Sequence, residues 1–343
     1  MTTTTSTPAT TKLAFAGLGW IGRHRMDAIV NANAGEAAYT CDVDTELTFD
    51  DLLASDADAI VIATPSAMHA EQAIAALERG KAVFCQKPLG RNADETRRVV
   101  DAARANDRLL GVDLSYRFTD AMVAVKRLVD EKTIGEVYAI DLVFHNAYGP
   151  DKPWFYDARL SGGGCVIDLG IHLVDMALWT LGFPNVERTT SRLFHHGGHS
   201  VEDYAVAMMD LSNGAAMQLA CSWNLSAGRD AEIRAIFYGT NGAAAFRNVN
   251  GSFYDFVAEH YQKTQTTQLT QPGDAWGGRA AVDWAQQLAR SNAFDPAIEH
   301  VIDVAEALDA IYASGGQAIL PVPSPAQPKE GQAGLPVLHQ DPL

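Results

Sequence analysis

A run of glycines near the start of the chain is the first feature whose residue types and spacing could do chemistry. Gly17, Gly19 and Gly22 follow a short apolar run, and a helical pattern begins at once. The first glycine permits a tight turn, the second lets backbone approach a pyrophosphate, and the third lets helix and strand pack closely. The helix N-terminus would offer N–H groups to phosphates. The pattern predicts a dinucleotide site, with Trp20 and Ile21 as further contacts.

One acidic residue bears on which dinucleotide would bind. Asp42 ends the second apolar run, 20 positions after Gly22. A carboxylate there would hydrogen-bond a ribose 2′-hydroxyl and repel a 2′-phosphate, so the position favours NAD, with NADP possible. The alternative is that Asp42 and Asp44 only open a solvated turn.

Alternating strand and helix patterns must position these residues. Short apolar runs alternate with amphipathic segments from Lys12 onward, which is typical of a parallel sheet with helices on both faces. We predict a doubly wound Rossmann domain over residues 12–115. Its strands are expected at Leu13–Ala16, Ala37–Cys41, Ala59–Ala63, Ala82–Cys85 and Leu109–Val112, and its helices at Ile21–Asn33, Phe49–Ser55, Met68–Arg79 and Ala93–Asn106.

The period changes after residue 115, where strand-like runs follow one another. Turn signals such as Asn213-Gly214 suit hairpins. We predict an α/β domain with a large open, mostly antiparallel sheet over residues 116–321, and loose termini at 1–11 and 322–343. The expected strands are Val137–His145, Arg188–Leu193, Tyr204–Leu211, Ala215–Ser222, Glu232–Tyr238 and Ala243–Asn248, and the expected helices are Ala121–Asp130, Cys165–Leu181, Ala280–Arg290 and Pro296–Ser314.

Composition narrows the class of protein. The formal net charge is −16 with no Lys/Arg run, so we expect neither nucleic acid nor anionic membrane as a partner. No run approaches the roughly 20 apolar residues of a membrane span, and residues 1–11 lack the pattern of a signal peptide. The four cysteines are widely spaced, which favours reduced thiols and a cytoplasmic location.

Three ordered blocks carry a family resemblance. Val61–His69, Cys85–Gly90 and Gly162–His172 together resemble the glucose–fructose oxidoreductase / inositol dehydrogenase / MocA-like (Gfo/Idh/MocA) family, over about Lys12 to Pro321. The resemblance implies a Rossmann domain that binds NAD or NADP. It also implies an α/β domain whose open sheet supplies the substrate pocket and the oligomer interface.

The resemblance also implies roles for single residues. Lys87, in Gln86-Lys87-Pro88, would be catalytic and touch both nicotinamide and substrate. Asp168 and His172 match the family's Asp-x-x-x-His, and Tyr116-Arg117-Phe118 matches a short motif entering the second domain. Residues implied to line the cofactor are Thr64, Pro65, His69 and Gln86.

Two positions depart from the family pattern. Gln86 stands where the family usually has Glu, which removes a negative charge beside Lys87. Between Asp42 and Ile60 the chain is shorter than usual, with room for one short crossover helix around Phe49–Ser55. The adenosine end of the site is therefore expected to be more open.

The implied chemistry is oxidation of a secondary alcohol, in which hydride leaves for the nicotinamide and a base takes the hydroxyl proton. We assign His172 as proton acceptor and Lys87 as the group that polarises the oxygen; the reverse assignment also fits. Asp168 would orient the imidazole or hold Lys87 charged. Without the resemblance, Asp168 and His172 would be a polar pair joining a helix to its neighbour, and Lys87 a solvent-facing lysine.

Three further residues are candidates for substrate contact. Tyr116, Arg117 and Trp154 should face the cleft, where an aromatic face and a guanidinium suit a polyhydroxylated ring. Each is equally well explained by packing.

Two other side-chain groups are assigned no chemistry. Three histidines, His195, His196 and His199, have a spacing that zinc sites can use, but a solvated or substrate-facing loop is favoured and no metal is predicted. Met208 and Met209 are expected in the core.

The sequence thus predicts an NAD(P)-dependent dehydrogenase or ketoreductase acting on a sugar, sugar derivative or cyclic polyol, or a smaller diol. One alternative on the same fold is a glycosidase that uses bound NAD transiently. The other is a non-catalytic regulator that senses a dinucleotide. The exposed face of the second sheet predicts a homodimer or homotetramer.

Overall fold

Two sheets organise the part of the chain that the computed structural model describes, residues 10–316. The first is a parallel sheet with helices on both faces and the second is large and mostly antiparallel, so the predicted fold class is confirmed. The predicted loose termini lie outside the described residues, apart from positions 10 and 11.

The first sheet has the order β2-β1-β3-β4-β5, with all strands parallel. Strands β1, β3 and β4 are almost entirely apolar and buried, as expected for strands covered on both faces. The short crossover helix predicted near Phe49 is present as α2, capped by Thr48. The elements are β1 (Lys12–Ala16), α1 (Trp20–Asn31), β2 (Glu36–Cys41), α2 (Phe49–Ala54), β3 (Ala59–Ile62), α3 (Ser66–Glu78), β4 (Ala82–Cys85), α4 (Ala93–Ala105) and β5 (Leu110–Val112).

The strand register brings the candidate residues to one edge. Ala16 pairs with Ile62, Ile62 with Cys85, and Cys85 with Val112. The segments that follow these four strands therefore leave the sheet side by side, at the edge where open α/β sheets bind ligands.

The second sheet has eight strands in the order β13-β12-β11-β10-β6-β9-β8-β7, with only the β6–β9 pair parallel. Helices α5, α7 and α9 pack on the sheet or on one another. The elements are α5 (Asp120–Asp130), β6 (Val137–Asn146), α6 (Ala158–Ser161), α7 (Ile171–Leu181), β7 (Val186–Phe194), β8 (Tyr204–Leu211), β9 (Ala216–Ser222), β10 (Ala231–Gly239), β11 (Gly242–Asn248), β12 (Phe256–Gln262), β13 (Gln265–Gln268), α8 (Arg279–Arg290) and α9 (His300–Ser314).

Three sequence expectations are corrected here. Strands β12 and β13 were not predicted. Strand β12 is nevertheless largely buried, whereas β13 is a polar, fully exposed edge strand without alternation. The helix expected over Cys165–Leu181 begins with a π-helical turn, Val166–Gly170. Met208 is not in the core; it is 56% exposed on the outer face of β8, because strand side chains alternate between faces while its neighbour Met209 is buried.

Helix α8 belongs to the first sheet in space although it lies near the end of the described chain. Its Trp284 ring packs on Phe84 with centroids 5.4 Å apart. Buried Ala281 and Leu288 join the same apolar cluster as Leu13 and Phe15. One face of the Rossmann sheet is thus covered by α1 together with α8.

One helical stretch, Ala158–Leu181, is long and apolar enough to span a membrane. In its most apolar window, however, 83% is buried inside the protein. We therefore assign this stretch to the core of the second domain.

We predict that Trp284→Ala lowers the free energy of unfolding by about 3–5 kcal/mol, because it opens a cavity under the first sheet. Urea denaturation followed by far-UV circular dichroism, which does not depend on the tryptophan signal, measures the change. The matched control is Gln286→Ala, an exposed residue on the same helix, which should alter stability by less than about 0.5 kcal/mol. Equal stability of the two variants would contradict the packing role.

Candidate active site

The glycine turn after β1 has the form of a phosphate cradle. Gly17 has φ +87°, and a Cβ there would meet the carbonyl oxygen of Ala63 at 2.5 Å. A Cβ on Gly22 would meet the carbonyl oxygen of Gly17 at 1.9 Å, whereas a Cβ on Gly19 would meet nothing within 4 Å. The outer glycines hold the turn against the protein, and Gly19 leaves open space in front of the α1 N-terminus where a pyrophosphate fits.

Asp42 lies directly beside this turn. Its Oδ2 accepts a hydrogen bond from the Leu18 N–H, and its Oδ1 accepts from the Val43 N–H at 2.7 Å. The carboxylate is thereby fixed at the end of β2, next to the cradle, rather than free in a solvated turn. Trp20, the other predicted contact in the turn, is 63% exposed with its ring stacked on His24.

The segment after β3 forms the next wall of the cleft. Pro65 caps α3, and the Thr64 hydroxyl donates to Gln72 at 2.6 Å. The buried His69 ring lies between two carbonyl oxygens, those of Thr64 and Pro88, each 2.7 Å from a ring nitrogen. Burial lowers the pKa of His69. His69 therefore joins the Thr64 segment to the Lys87–Pro88 segment.

Lys87 and Asp168 form an ion pair between the two sheets. The Lys87 ammonium donates to Asp168 Oδ1 at 2.8 Å and to the Asp168 carbonyl oxygen at 2.7 Å. Trp223 Nε1 donates to the other carboxylate oxygen, Oδ2, at 3.1 Å. Both members of the pair are mostly buried. Of the two roles considered for Asp168, the geometry shows that of partner to Lys87.

His172 lies in the first turn of α7 and is neutral. Its ring packs on Tyr116, with centroids 4.7 Å apart, and its Nδ1 has no hydrogen-bond partner within residues 10–316. Burial, with the nearby cations Lys87 and Arg25, holds the pKa of His172 well below its usual range. The imidazole consequently keeps a free lone pair at neutral pH.

Gln86 connects Lys87 to the end of β5. Its Oε1 accepts from the Lys87 N–H at 2.8 Å, and its Nε2 donates to Asp113 Oδ2 at 2.9 Å. Arg25 Nε donates to the same Asp113 oxygen at 2.6 Å.

Two of the three candidate substrate residues are engaged within the protein. Tyr116 is buried among aromatic rings, and burial raises its pKa. Arg117 donates to both carboxylate oxygens of the buried Asp175, and its guanidinium lies 5.4 Å from the Phe183 ring centre. These contacts favour the packing explanation for both, and their substrate roles stay predictions.

Trp154 belongs to an aromatic strip beside the ion pair. Its ring stacks on Phe155 with centroids 3.9 Å apart, and Phe155 and Tyr156 approach Trp223 edge-on at 6.5 and 5.6 Å. His199 lies against Tyr156 at 4.3 Å. The strip thus extends from Trp223, the partner of Asp168, to the loop that carries the three histidines. Within residues 10–316 no three His, Cys, Asp or Glu side chains are grouped to hold a metal ion.

Sequence reasoning missed several residues of this site. Asp113 could have been found, because it directly follows a predicted strand at the ligand-binding edge. Trp223 and Glu202 carry no such signal. The buried Glu202 carboxylate accepts from the N–H groups of Gly164 and Val166, which fixes the start of the π-helical turn that presents Asp168.

The cradle, the fixed carboxylate after β2 and the ion pair at the edge of a doubly wound sheet define a dinucleotide-binding oxidoreductase fold. Residues 11–114 match the family described as "Oxidoreductase family, NAD-binding Rossmann fold", and residues 122–245 match the "GFO/IDH/MocA C-terminal domain". The chain belongs to the Gfo/Idh/MocA oxidoreductase family, and its first domain is that family's NAD-binding Rossmann fold.

Several named proteins are similar over much of the chain. The D-glucoside 3-dehydrogenase of Escherichia coli (strain K12) is 29% identical over 209 residues, which cover 56% of this chain and 60% of that protein. A putative UDP-kanosamine synthase oxidoreductase subunit of Amycolatopsis mediterranei (strain S699) is 28% identical, covering 90% and 96%. The crystal structure of GenD2 from gentamicin A biosynthesis in complex with NAD superposes with a TM-score of 0.77 at 23% identity, covering 91% and 96%.

The match to the first of these relatives is partial. The alignment spans only about three fifths of the glucoside dehydrogenase, and the solved structure, at 23% identity, shares the fold.

We predict that His172→Phe makes the protein less sensitive to acid. Since the folded pKa of His172 is lowered, only the unfolded chain takes up its proton as the pH falls below about 6.5, and stability is lost there. Phe keeps the ring contacts but removes this proton. The loss of unfolding free energy between pH 7 and 5 should shrink by about 1–2 kcal/mol.

Urea denaturation at pH 5, 6 and 7 measures this difference. His195→Phe, at an exposed position after β7, is the control and should leave the pH dependence unchanged. Parallel pH curves for His172→Phe and the wild type would contradict a neutral buried imidazole.

Proposed function

We propose that the protein is an NAD-dependent dehydrogenase, or in reverse a ketoreductase, that acts on a secondary hydroxyl of a sugar, sugar derivative or cyclic polyol. The observation that carries the proposal is the Lys87–Asp168 ion pair, placed at the edge of the dinucleotide fold beside the neutral His172. Residues 12–115 would bind the dinucleotide, and residues 116–321 the substrate.

The cofactor would be held by groups already positioned. Gly17, Gly19 and Gly22 would surround the pyrophosphate, and Asp42 would accept from the ribose 2′-hydroxyl while disfavouring a 2′-phosphate. Thr64 and Pro65 would form the adjoining wall, and the buried His69 would support it from behind. The chemistry that NAD supplies when bound is acceptance of a hydride from the carbinol carbon.

The protein's own side chains would handle the oxygen and its proton. The Lys87 ammonium donates to the substrate oxygen and stabilises the negative charge that develops there as the hydroxyl proton is removed. His172, which burial keeps neutral, accepts the hydroxyl proton. Asp168 keeps the ammonium in place, and Trp223 holds Asp168.

Two observations support a polyhydroxylated ring as substrate. The aromatic strip from Trp154 to Trp223 offers ring faces and edges beside the ion pair, which suits the apolar faces of a sugar or polyol ring. The relatives include a D-glucoside 3-dehydrogenase and inositol 2-dehydrogenases.

We predict that NAD is reduced with at least one member of a panel of aldoses, glycosides, inositols and small diols, and that Lys87→Ala lowers kcat at least about 100-fold. Reduced-nicotinamide absorbance, with NAD and NADP in parallel, gives the rates. Lys132→Ala, whose ammonium pairs with Glu136 on the surface, is the control and should keep wild-type activity.

If no panel member reduces either cofactor although NAD binds, the dehydrogenase assignment is wrong. Release of an aglycone from a glycoside without net NADH would identify the glycosidase alternative. Binding of NAD without either reaction would favour the dinucleotide-sensing regulator.

We also propose a homodimer or homotetramer that forms through the outer face of the second sheet. On this face Met208 and Tyr138 are 56% and 57% exposed, a large apolar exposure for a free sheet surface. Within the described residues the fold places no helix there, since α5 and α7 cover the opposite face. A cytoplasmic location is proposed as well, supported by four free thiols.

We predict that Met208→Lys shifts the protein toward monomer, because a charge buried in an apolar interface is costly. Light scattering after size exclusion at several concentrations measures the mass. Val123→Lys, equally exposed but on helix α5, should not change it. An unchanged oligomer for Met208→Lys, or a monomeric wild type, would contradict this interface.

A further inference from the structure

Asp113 is a fully buried carboxylate that the chemistry above does not use. It follows β5 directly, and its side chain is 0% exposed. Its Oδ2 accepts from Arg25 Nε at 2.6 Å and from Gln86 Nε2 at 2.9 Å, while Oδ1 has no partner within the described residues. A buried charge of this kind requires a partner, and Arg25, only 6% exposed, is that partner.

The Gln86 side chain links Asp113 to the backbone of Lys87. The amide donates to Asp113 through Nε2 and accepts from the Lys87 N–H through Oε1. A hydrogen-bonded chain thus runs from α1 through the end of β5 to the peptide group of Lys87. Only an uncharged side chain with one donor and one acceptor end can occupy the middle of this chain.

We propose that Asp113 is a positioning residue, which fixes the Lys87 backbone through Gln86 and requires an amide rather than a carboxylate at position 86. This assignment rests on the proposed role of Lys87. It also accounts for the Gln at position 86, because Asp113 already supplies a buried carboxylate at this place.

A glutamate side chain at position 86 would conflict with Asp113. Its oxygen would replace Nε2 at about 2.9 Å from Asp113 Oδ2, so two carboxylates would face each other with one guanidinium between them. Because Asp113 is fully buried, one of the two then keeps a proton to well above its ordinary pKa. A protonated carboxyl group at position 86 can donate to Asp113 as the amide does, whereas an ionised one cannot.

The groups that face Asp113 limit what else could titrate. Arg25 comes from α1 and stays charged. His24 precedes it, with Nδ1 2.8 Å from Arg25 Nη1, and burial lowers its pKa. Cys85 lies on β4, and burial raises the pKa of its thiol beyond the assay range. A new titration between about pH 6 and 9 in a position-86 variant therefore belongs to the introduced carboxyl and Asp113.

The test uses the full chain with Gln86→Glu, Asp113→Asn and the double variant. At about pH 8.5 we expect Gln86→Glu to lower the thermal midpoint and to reduce kcat at least about tenfold, with KM changed less. Both should recover toward wild type as the pH falls to about 6, because the carboxyl pair takes up a proton. In the Asp113→Asn background, Gln86→Glu should show no such pH step. The factor by which it lowers kcat there should be at least about fivefold smaller than in the wild-type background.

Gln287→Glu is the matched control. Gln287 Nε2 also donates to an aspartate, Asp295, at 3.0 Å, but at a partly exposed place on helix α8, away from the proposed interface. Water screens the introduced charge there, so neither the midpoint nor the pH profile should change.

Two results would overturn the proposal. One is that Gln86→Glu lowers kcat and the thermal midpoint equally in both backgrounds; the other is that these losses do not vary with pH. The thermal midpoints need no substrate, so they remain informative if no polyol is turned over. In that case the function proposed for the site fails, while coupling in the midpoints still supports the link between Asp113 and position 86.

Discussion

The structure depends on one ion pair that joins its two halves. Lys87 leaves the parallel sheet and Asp168 belongs to the turn in front of α7, 81 positions further along the chain. Because both are mostly buried, separating them would leave an unpaired charge in a poorly solvated place, which is costly. The neighbouring contacts keep them together: Trp223 holds the second carboxylate oxygen, and Glu202 holds the start of the turn.

The same arrangement sets the charge state of the cleft. Two cations, Lys87 and Arg25, lie near His172, and each is paired with its own aspartate. Neither carboxylate is hydrogen-bonded to the imidazole, so the cations and burial together keep His172 neutral. The cleft therefore contains the Lys87 ammonium, bound to Asp168, and the uncharged His172 imidazole, held by separate networks. A substitution in the Lys87–Asp168–Trp223 network can therefore displace the ammonium without removing the contacts that bury His172.

The sequence predicted what local patterns encode. The glycine turn, the alternating elements of the first sheet and the short α2 follow from residues close together along the chain, and so they were found. The pairing of Gln86 with Asp113 was not, because it depends on which strand neighbours β4. Met208 was misassigned because its strand alternates. The contact of Arg117 with Asp175 was not foreseen, because the two residues lie 58 positions apart. Polar β13 has no pattern from which a strand could be inferred.

Helix α8 has a consequence for how the protein is made. Domains usually fold in order as the chain emerges from the ribosome, at about 5–20 residues per second. Here the first five strands emerge early, but the helix that shields one side of them, Arg279–Arg290, is encoded far downstream of the last strand, Leu110–Val112. The nascent nucleotide-binding half must therefore wait, with Phe84 uncovered by Trp284, until Arg279–Arg290 has been translated. During that interval it is a natural client for chaperones that bind exposed apolar surface.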